Sequence, residues 1–261
     1  LTRLAEGRRA HAHIVTNDDD GILSVDSGMA TSIIDMYGKC GSLREAHCVF
    51  DWMRIRTVVS WGALMSAYVE HGKSIEALEL FNRVCFESII PDNLLVSFGL
   101  RSCIDSGALT RGKQVHCMLL SSRFELDVVI GNTLIGLYMK LGSHDDAHRV
   151  FRCLKSRSVI TWSAMISGYA QHGEHTLAKQ CFIEMQFCHD IKPDEKTLVS
   201  ILSSCGHTSQ IEEGLRYFQC METRYGVKPS SEHYNCMIDL FASGGLLKEA
   251  GKLLEEQPFE P

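Results

Sequence analysis

Apolar residues recur three and four positions apart along most of the chain, and a glycine breaks the pattern at regular intervals. Between 159 and 194, Trp162, Met165, Ile166 and Tyr169 take the i, i+3, i+4, i+7 spacing of one helix face. Gly173 follows where a helix C terminus favours a left-handed residue. Ala178, Cys181, Phe182 and Met185 then mark a second helix. Pro193 closes the unit, because proline cannot continue a helix interior. Residues 128–158 repeat the plan with Leu134, Ile135, Leu137 and Tyr138, then Gly142, then Ala147, Val150, Phe151 and Leu154.

The pattern has a period. Val58 to Tyr68 and Val159 to Tyr169 match closely, with Trp61 and Trp162 lying 101 residues apart. The same offset joins Tyr37 to Tyr138, Phe50 to Phe151, Gly72 to Gly173 and Phe81 to Phe182. Asp92 to Asp194 and Cys103 to Cys205 are 102 apart, so one residue has been inserted. Each period divides into three helical hairpins. The chain tiles as 1–26 (the tail of a unit), 27–57, 58–92, 93–127, 128–158, 159–194, 195–230 and 231–261. One such hairpin cannot bury its apolar face alone, whereas stacked neighbours can. The expected fold is all-α: a right-handed α-solenoid of stacked helix-turn-helix repeats with a concave inner surface.

Composition changes this picture little. The chain has 261 residues, 45% hydrophobic and 22% charged, as in ordinary globular proteins. A formal charge of −6 argues against a broadly basic nucleic-acid binder and leaves room only for a local basic groove. Eleven cysteines form no Cys-x-x-Cys pair and no Cys/His cluster with zinc spacing. Most read as small buried apolar residues in a reducing compartment. No run of about 18 apolar residues suggests a membrane span. The chain begins at Leu1 without a signal or transit segment and reads as a fragment.

The tryptophan at position 4 of a unit, the tyrosine near 11, the glycine turn and the closing Lys192-Pro193-Asp194 resemble the pentatricopeptide repeat. Units of 31, 35 and 35–36 residues in rotation resemble the plant subclass with short, standard and long repeats. On that basis 27–57, 128–158 and 231–261 are short, 58–92 and 159–194 standard, and 93–127 and 195–230 long, with 1–26 the tail of another long repeat. Asp35 to Gly41, Gly112 to His116 and Ser231 to Tyr234 match signatures of the same subclass. The C-terminal editing region of that subclass does not follow within the chain. One departure is Asn17-Asp18-Asp19-Asp20, expected to be a looped insertion.

The resemblance implies one RNA base per repeat. Position 5 and the last residue of a repeat would contact the base's Watson–Crick edge, and position 2 residues would sandwich it, a readout suited to single-stranded RNA. The implied pairs are Thr31/Thr57, Gly62/Asp92, Ser97/Asp127, Asn132/Ser158, Ser163/Asp194, Val199/Ser230 and Asn235/Pro261, with Val59, Val129 and Ile160 as sandwiching residues. Gly62 lacks a side chain to read with, and Lys196 and Glu232 are atypical at position 2. Each paired residue has a plainer reading as a helix cap or turn residue, because Ser, Thr, Asn and Asp favour both. The implied partner is organellar single-stranded RNA, in a mitochondrion or chloroplast and sometimes alongside editing-factor proteins.

Catalytic readings find little to stand on. His172-Gly173-Glu174 has the spacing of a deaminase's His-x-Glu, but it falls at an inter-helix turn and no Cys-x-x-Cys follows. No phosphate loop or Ser/His/Asp set can be placed. No catalytic residue, metal, cofactor, membrane or small-molecule substrate is therefore expected. The alternative is a protein-binding scaffold of the tetratricopeptide type, whose constant 34-residue unit fits less well than 31, 35 and 36.

Overall fold

The computed structural model describes residues 4–5, 7–9, 11–12, 27–87, 89–121, 127–188 and 191–255. The region of the expected loop at 17–20 lies outside them. The described residues are helical with no strand, in two compact units, Leu1–Phe124 and Glu125–Pro261. Unit one holds three hairpins: α1 (Ser27–Lys39) with α2 (Leu43–Trp52), α3 (Val58–Glu70) with α4 (Ser74–Phe86), and α5 (Asn93–Asp105) with α6 (Leu109–Ser121). Unit two holds four: α7 (Val128–Lys140) with α8 (His144–Cys153), α9 (Val159–Gln171) with α10 (His175–Phe187), α11 (Glu195–His207) with α12 (Ile211–Gln219), and α13 (Ser231–Ser243) with α14 (Leu247–Glu255). A π-helical turn, Met221–Tyr225, extends α12.

Within each unit the first helices pack side by side in chain order, α1–α3–α5 and α7–α9–α11–α13. Each second helix packs on the first helix of its own hairpin. This is the expected repeat stacking. The sequence explains where the helices stop and start. Gly173 has φ 75°, and its N–H reaches Ala170 O while Glu174 N–H reaches Tyr169 O at 2.9 Å. That pairing satisfies the last carbonyls of α9. Ser209 stands at the same turn between α11 and α12 and is the one described non-glycine residue with positive φ, 54°.

The short repeats end differently. Helices α2 and α8 have 10 residues where α4 and α10 have 13. An arginine six positions on closes each one. Arg157 Nε donates to Phe151 O at 2.9 Å, and Arg56 Nε to Phe50 O at 3.4 Å. Their guanidinium groups lie 4.6 and 5.0 Å from the Phe151 and Phe50 ring centres. Those rings in turn meet Trp162 and Trp61 of the next hairpin edge-on, at 4.7 and 4.5 Å between centroids. Arginine, phenylalanine and tryptophan thus form one stack across each junction, repeated 101 residues on.

The cysteines depart from expectation. Only Cys103, Cys181 and Cys205 are buried, whereas Cys48, Cys85, Cys117 and Cys153 are exposed and the rest half-buried. Helical spacing put several of them beside apolar neighbours without putting them on the apolar face. Burial pushes the Cys181 and Cys205 thiols up to about 12, which keeps them protonated. All eleven are free.

Trp162 is 4% exposed and Trp61 fully buried, as their place on the apolar face implied. The Trp162→Ala variant should lose about 3–5 kcal/mol in chemical denaturation as a core truncation. Trp162→Phe should cost far less, because it keeps a ring and removes an indole N–H that is buried without a partner. Equal losses for the two variants would contradict the packing described. Ser209→Gly should raise stability by about 1 kcal/mol, since only glycine adopts that backbone without strain. A loss of stability in the same measurement would contradict it.

Candidate nucleic-acid interface

A helix N terminus leaves backbone N–H groups without helical partners, and a side-chain oxygen just before the helix satisfies one of them. Five unit-closing residues do this for the first helix that follows. Thr57 accepts from Ser60 N–H, Asp92 from Leu95 N–H at 2.9 Å, and Asp127 from Ile130 N–H at 2.8 Å. Ser158 accepts from Thr161 N–H, and Asp194 from Thr197 N–H at 2.9 Å. At Ser230 the partner is a side chain: its N–H donates to His233 Nδ1 at 3.1 Å, and its hydroxyl lies 2.8 Å from the same nitrogen. The plain reading of these residues as helix caps therefore holds. It concerns one oxygen of each side chain and leaves open what the rest of the group meets.

The structure brings one expected pair into direct contact. Ser163 Oγ lies 3.4 Å from Asp194 Oδ1 and 2.6 Å from Thr197 Oγ1, and donates to Val159 O at 2.8 Å. Thr197 Oγ1 also donates to Asp194 Oδ1 at 2.6 Å. Position 5 of one hairpin and the cap of the next thus share a network, which Asp194 joins through Oδ1. Asn132 is half-buried, and its Oδ1 is buried with no hydrogen-bond partner. Thr31 donates to Ser27 O at 2.6 Å within its own helix. Gly62 is buried, with Leu94 the nearest group to a side chain added there. Ser97 and Val199 are half-buried and Asn235 exposed. Ser97 and Asp127 fall in different units. Pro261 lies outside the described residues.

Position 2 shows large aliphatic groups turned to solvent. Val59 is 68% exposed, Val129 62% and Ile160 66%, although each belongs to a helix whose other apolar residues are mostly buried. Leu94 takes the same place in its helix and is 55% exposed. Sequence reasoning left Leu94 out, although counting from the preceding cap residue would have found it. The exposed side of the first helices is not a basic stripe. Arg101, Lys140 and Lys196 are exposed there, but so are Glu70, Asp105, Glu232 and Asp239, and Lys39 is paired with Asp35 at 2.6 Å.

His71 and His172 serve the fold: each ring Nδ1 sits 2.8 and 2.9 Å from the carbonyl four residues back, at its helix C terminus. Among the described residues, no group of three or more His, Cys, Asp or Glu could hold a metal ion, and no helix is long and apolar enough to cross a membrane.

Comparison with known proteins agrees with this architecture. Residues 29–56, 59–87, 132–159, 197–225 and 232–256 each match the PPR repeat, and residues 157–207 match the PPR repeat family. The chain therefore belongs to the pentatricopeptide-repeat family. A pentatricopeptide repeat-containing protein of Arabidopsis thaliana is 39% identical over 257 residues, which is 98% of this chain and 40% of the relative. Another from the same plant, named as chloroplastic, is 34% identical over 258 residues, 99% of this chain and 32% of the relative. The chain thus spans less than half the length of these relatives. Among solved structures, PPR10 in complex with an 18-nt psaJ RNA element matches with TM-score 0.75 at 22% identity, over 98% of this chain and 36% of that one. PPR10 from maize matches with TM-score 0.68 at 20% identity, over 96% and 37%. These two likenesses show the fold.

The cap at Ser230 generates a pH prediction. His233 is fully buried, and its Nε2–H donates to Glu195 O at 3.2 Å, so Nδ1 is left to accept from Ser230. Burial holds the imidazole below its ordinary 6.5, outweighing the opposing pull of the Glu195 carbonyl. A depressed value contributes stability that is fully present above 6.5 and is lost as pH falls through the folded value. Urea midpoints should therefore fall as the pH drops below 6.5, and His233→Gln should flatten that fall. An identical pH profile for the variant would contradict the assignment.

Proposed function

We propose that the chain is a sequence-specific binder of single-stranded RNA, each repeat facing one base. Base-specifying roles go to Thr31, Thr57, Gly62, Asp92, Ser97, Asp127, Asn132, Ser158, Ser163, Asp194, Asn235 and Pro261, and sandwiching roles to Val59, Val129 and Ile160. The contact between Ser163 and Asp194 carries the reading, because a base edge must meet both side chains at once. The exposed aliphatic groups at position 2 support it: they are costly in water and suited to lying against a base. PPR10, a structural neighbour, is named as binding an RNA element. In the plant subclass that the repeat lengths resemble, such an array specifies a site in organellar RNA for processing or cytidine-to-uridine editing. The chain's part is recognition, and the chemistry belongs to a C-terminal domain or a recruited partner. A mitochondrial or chloroplast location follows from the same reading and accords with the chloroplastic relative.

The repeats run parallel to the RNA, with the N-terminal repeat at the 5′ side. By the family's code Asn132/Ser158 prefers cytosine and Ser163/Asp194 guanine, which gives 5′-CG-3′. A carboxylate accepts from guanine's N–H edge, whereas the Ser158 hydroxyl serves cytosine. Asp194→Asn is the sharpest test. Asn caps a helix as well as Asp does, so the fold should be preserved. Binding to RNAs that differ only at that base should shift from guanine toward adenine by about 1–3 kcal/mol. An equal loss on all four bases would make Asp194 a cap and nothing more.

A further inference from the structure

The second helices of unit two enclose a cleft that the RNA reading does not use. It measures 340 Å³ and lies between α10 and α12 with its π-helical turn. Helix α10 contributes Lys179, Ile183, Gln186 and Phe187, and the other wall includes Glu213, Arg216, Tyr217, Arg224 and Tyr225. No first-helix residue lines it.

Its chemistry is uneven in charge. Three cations face one carboxylate. Glu213 accepts from Lys179 Nζ at 2.8 Å and from Tyr217 OH at 2.6 Å. Arg216 stands 3.9 Å from Glu213 and remains 69% exposed. Arg224 is exposed, is in no described ion pair, and lies 5.7 Å from the Tyr225 ring centre. An excess of positive charge thus gathers in a cleft of a chain whose formal charge is −6. Phe187 offers an almost fully exposed ring at the rim.

In unit one, α4 and α6 hold the corresponding places, and there Cys85 Sγ meets Met118 Sδ at 3.8 Å. Gln186 and Cys220 stand at those two positions in unit two and line the open cleft. Beyond α12 the helix widens into a π turn, which carries Arg224 and Tyr225 into the wall. π-Helical turns are rare and concentrate at functional sites.

We propose that this cleft binds a small planar anion of the nucleoside monophosphate class, with phosphate between Arg216 and Arg224 and the ring against Phe187. Two guanidinium groups lining one cleft suit a phosphate, a cation-flanked aromatic wall suits a base, and the volume lies at the lower end of ligand pockets. The ligand is bound and not turned over.

Calorimetric titration of the 261-residue chain with UMP, AMP, uridine and inorganic phosphate tests this. The monophosphates should bind more tightly than either uridine or phosphate. Arg216→Gln with Arg224→Gln should weaken monophosphate binding about tenfold or more, in line with the loss of charge-assisted hydrogen bonds. Phe187→Ser, at an exposed ring, should weaken the monophosphates and leave phosphate unchanged. Each variant is compared at an unfolding midpoint equal to that of the parent, with Arg216→Lys and Arg224→Lys substituted if the glutamine variant unfolds early. The lysine form should still weaken binding, because it lacks the paired donors. No heat up to millimolar monophosphate, unchanged binding in the arginine variants, or phosphate binding as tight as UMP would each overturn the proposal.

Discussion

Five of the described hairpins begin on a side chain that turns an oxygen onto the third amide of the first helix, and the rest of the repeat depends on that contact. Without it a helix of 13 residues starts with unpaired donors where the chain must also reverse direction. With it the first turn has a defined start, and the positions that follow acquire fixed directions. The second faces solvent, the fourth enters the junction, and at Ser163 the fifth meets the next cap. Thr57, Asp92, Asp127, Ser158 and Asp194 all make this contact, although their side chains differ in charge, length and branching. A constraint satisfied by three residue types leaves the choice among them to be made by something else. Base identity is the selector proposed.

Two kinds of junction hold successive hairpins together. After the short repeats, arginine closes the helix and stacks on a phenylalanine that meets the next tryptophan. Between α10, α11 and α12 the junction is polar: His175 contacts Ser204 at 2.9 Å, and Glu213 gathers Lys179 and Tyr217. Burial works against ionisation of Glu213, yet the hydrogen bonds from Lys179 and Tyr217 hold its carboxyl below the ordinary range. The polar junction has an open cleft beside it.

Much of this was legible in the residues, because a repeat states its pattern several times. The 101-residue offset tied Trp61 to Trp162 and placed both in the core before any coordinate was known. Gly173 announced its own backbone angle. What stayed hidden depended on which side of a helix a residue takes when its neighbours give no clear sign. Cys48 and Cys153 sit among apolar residues yet face solvent. Ser209 occupies a glycine's turn, a departure visible only once the turns are aligned at the 102-residue offset. The π-helical turn had no signal, since it changes hydrogen-bond register without changing composition. Of the candidate site, position 2 was readable from aliphatic residues preceding the tryptophan. The last residue was legible as a helix cap, whereas the base-reading duty proposed for it leaves no separate mark, because Ser, Thr and Asp suit either place.

Selection from a random pool of short single-stranded RNAs tests the central claim most directly. The account predicts retention of single strands over duplex, with C followed by G enriched 5′ to 3′, and loss of the G preference in the Asp194→Asn protein. Retained RNA with flat base composition, or enrichment that Asp194→Asn leaves unchanged, would contradict it.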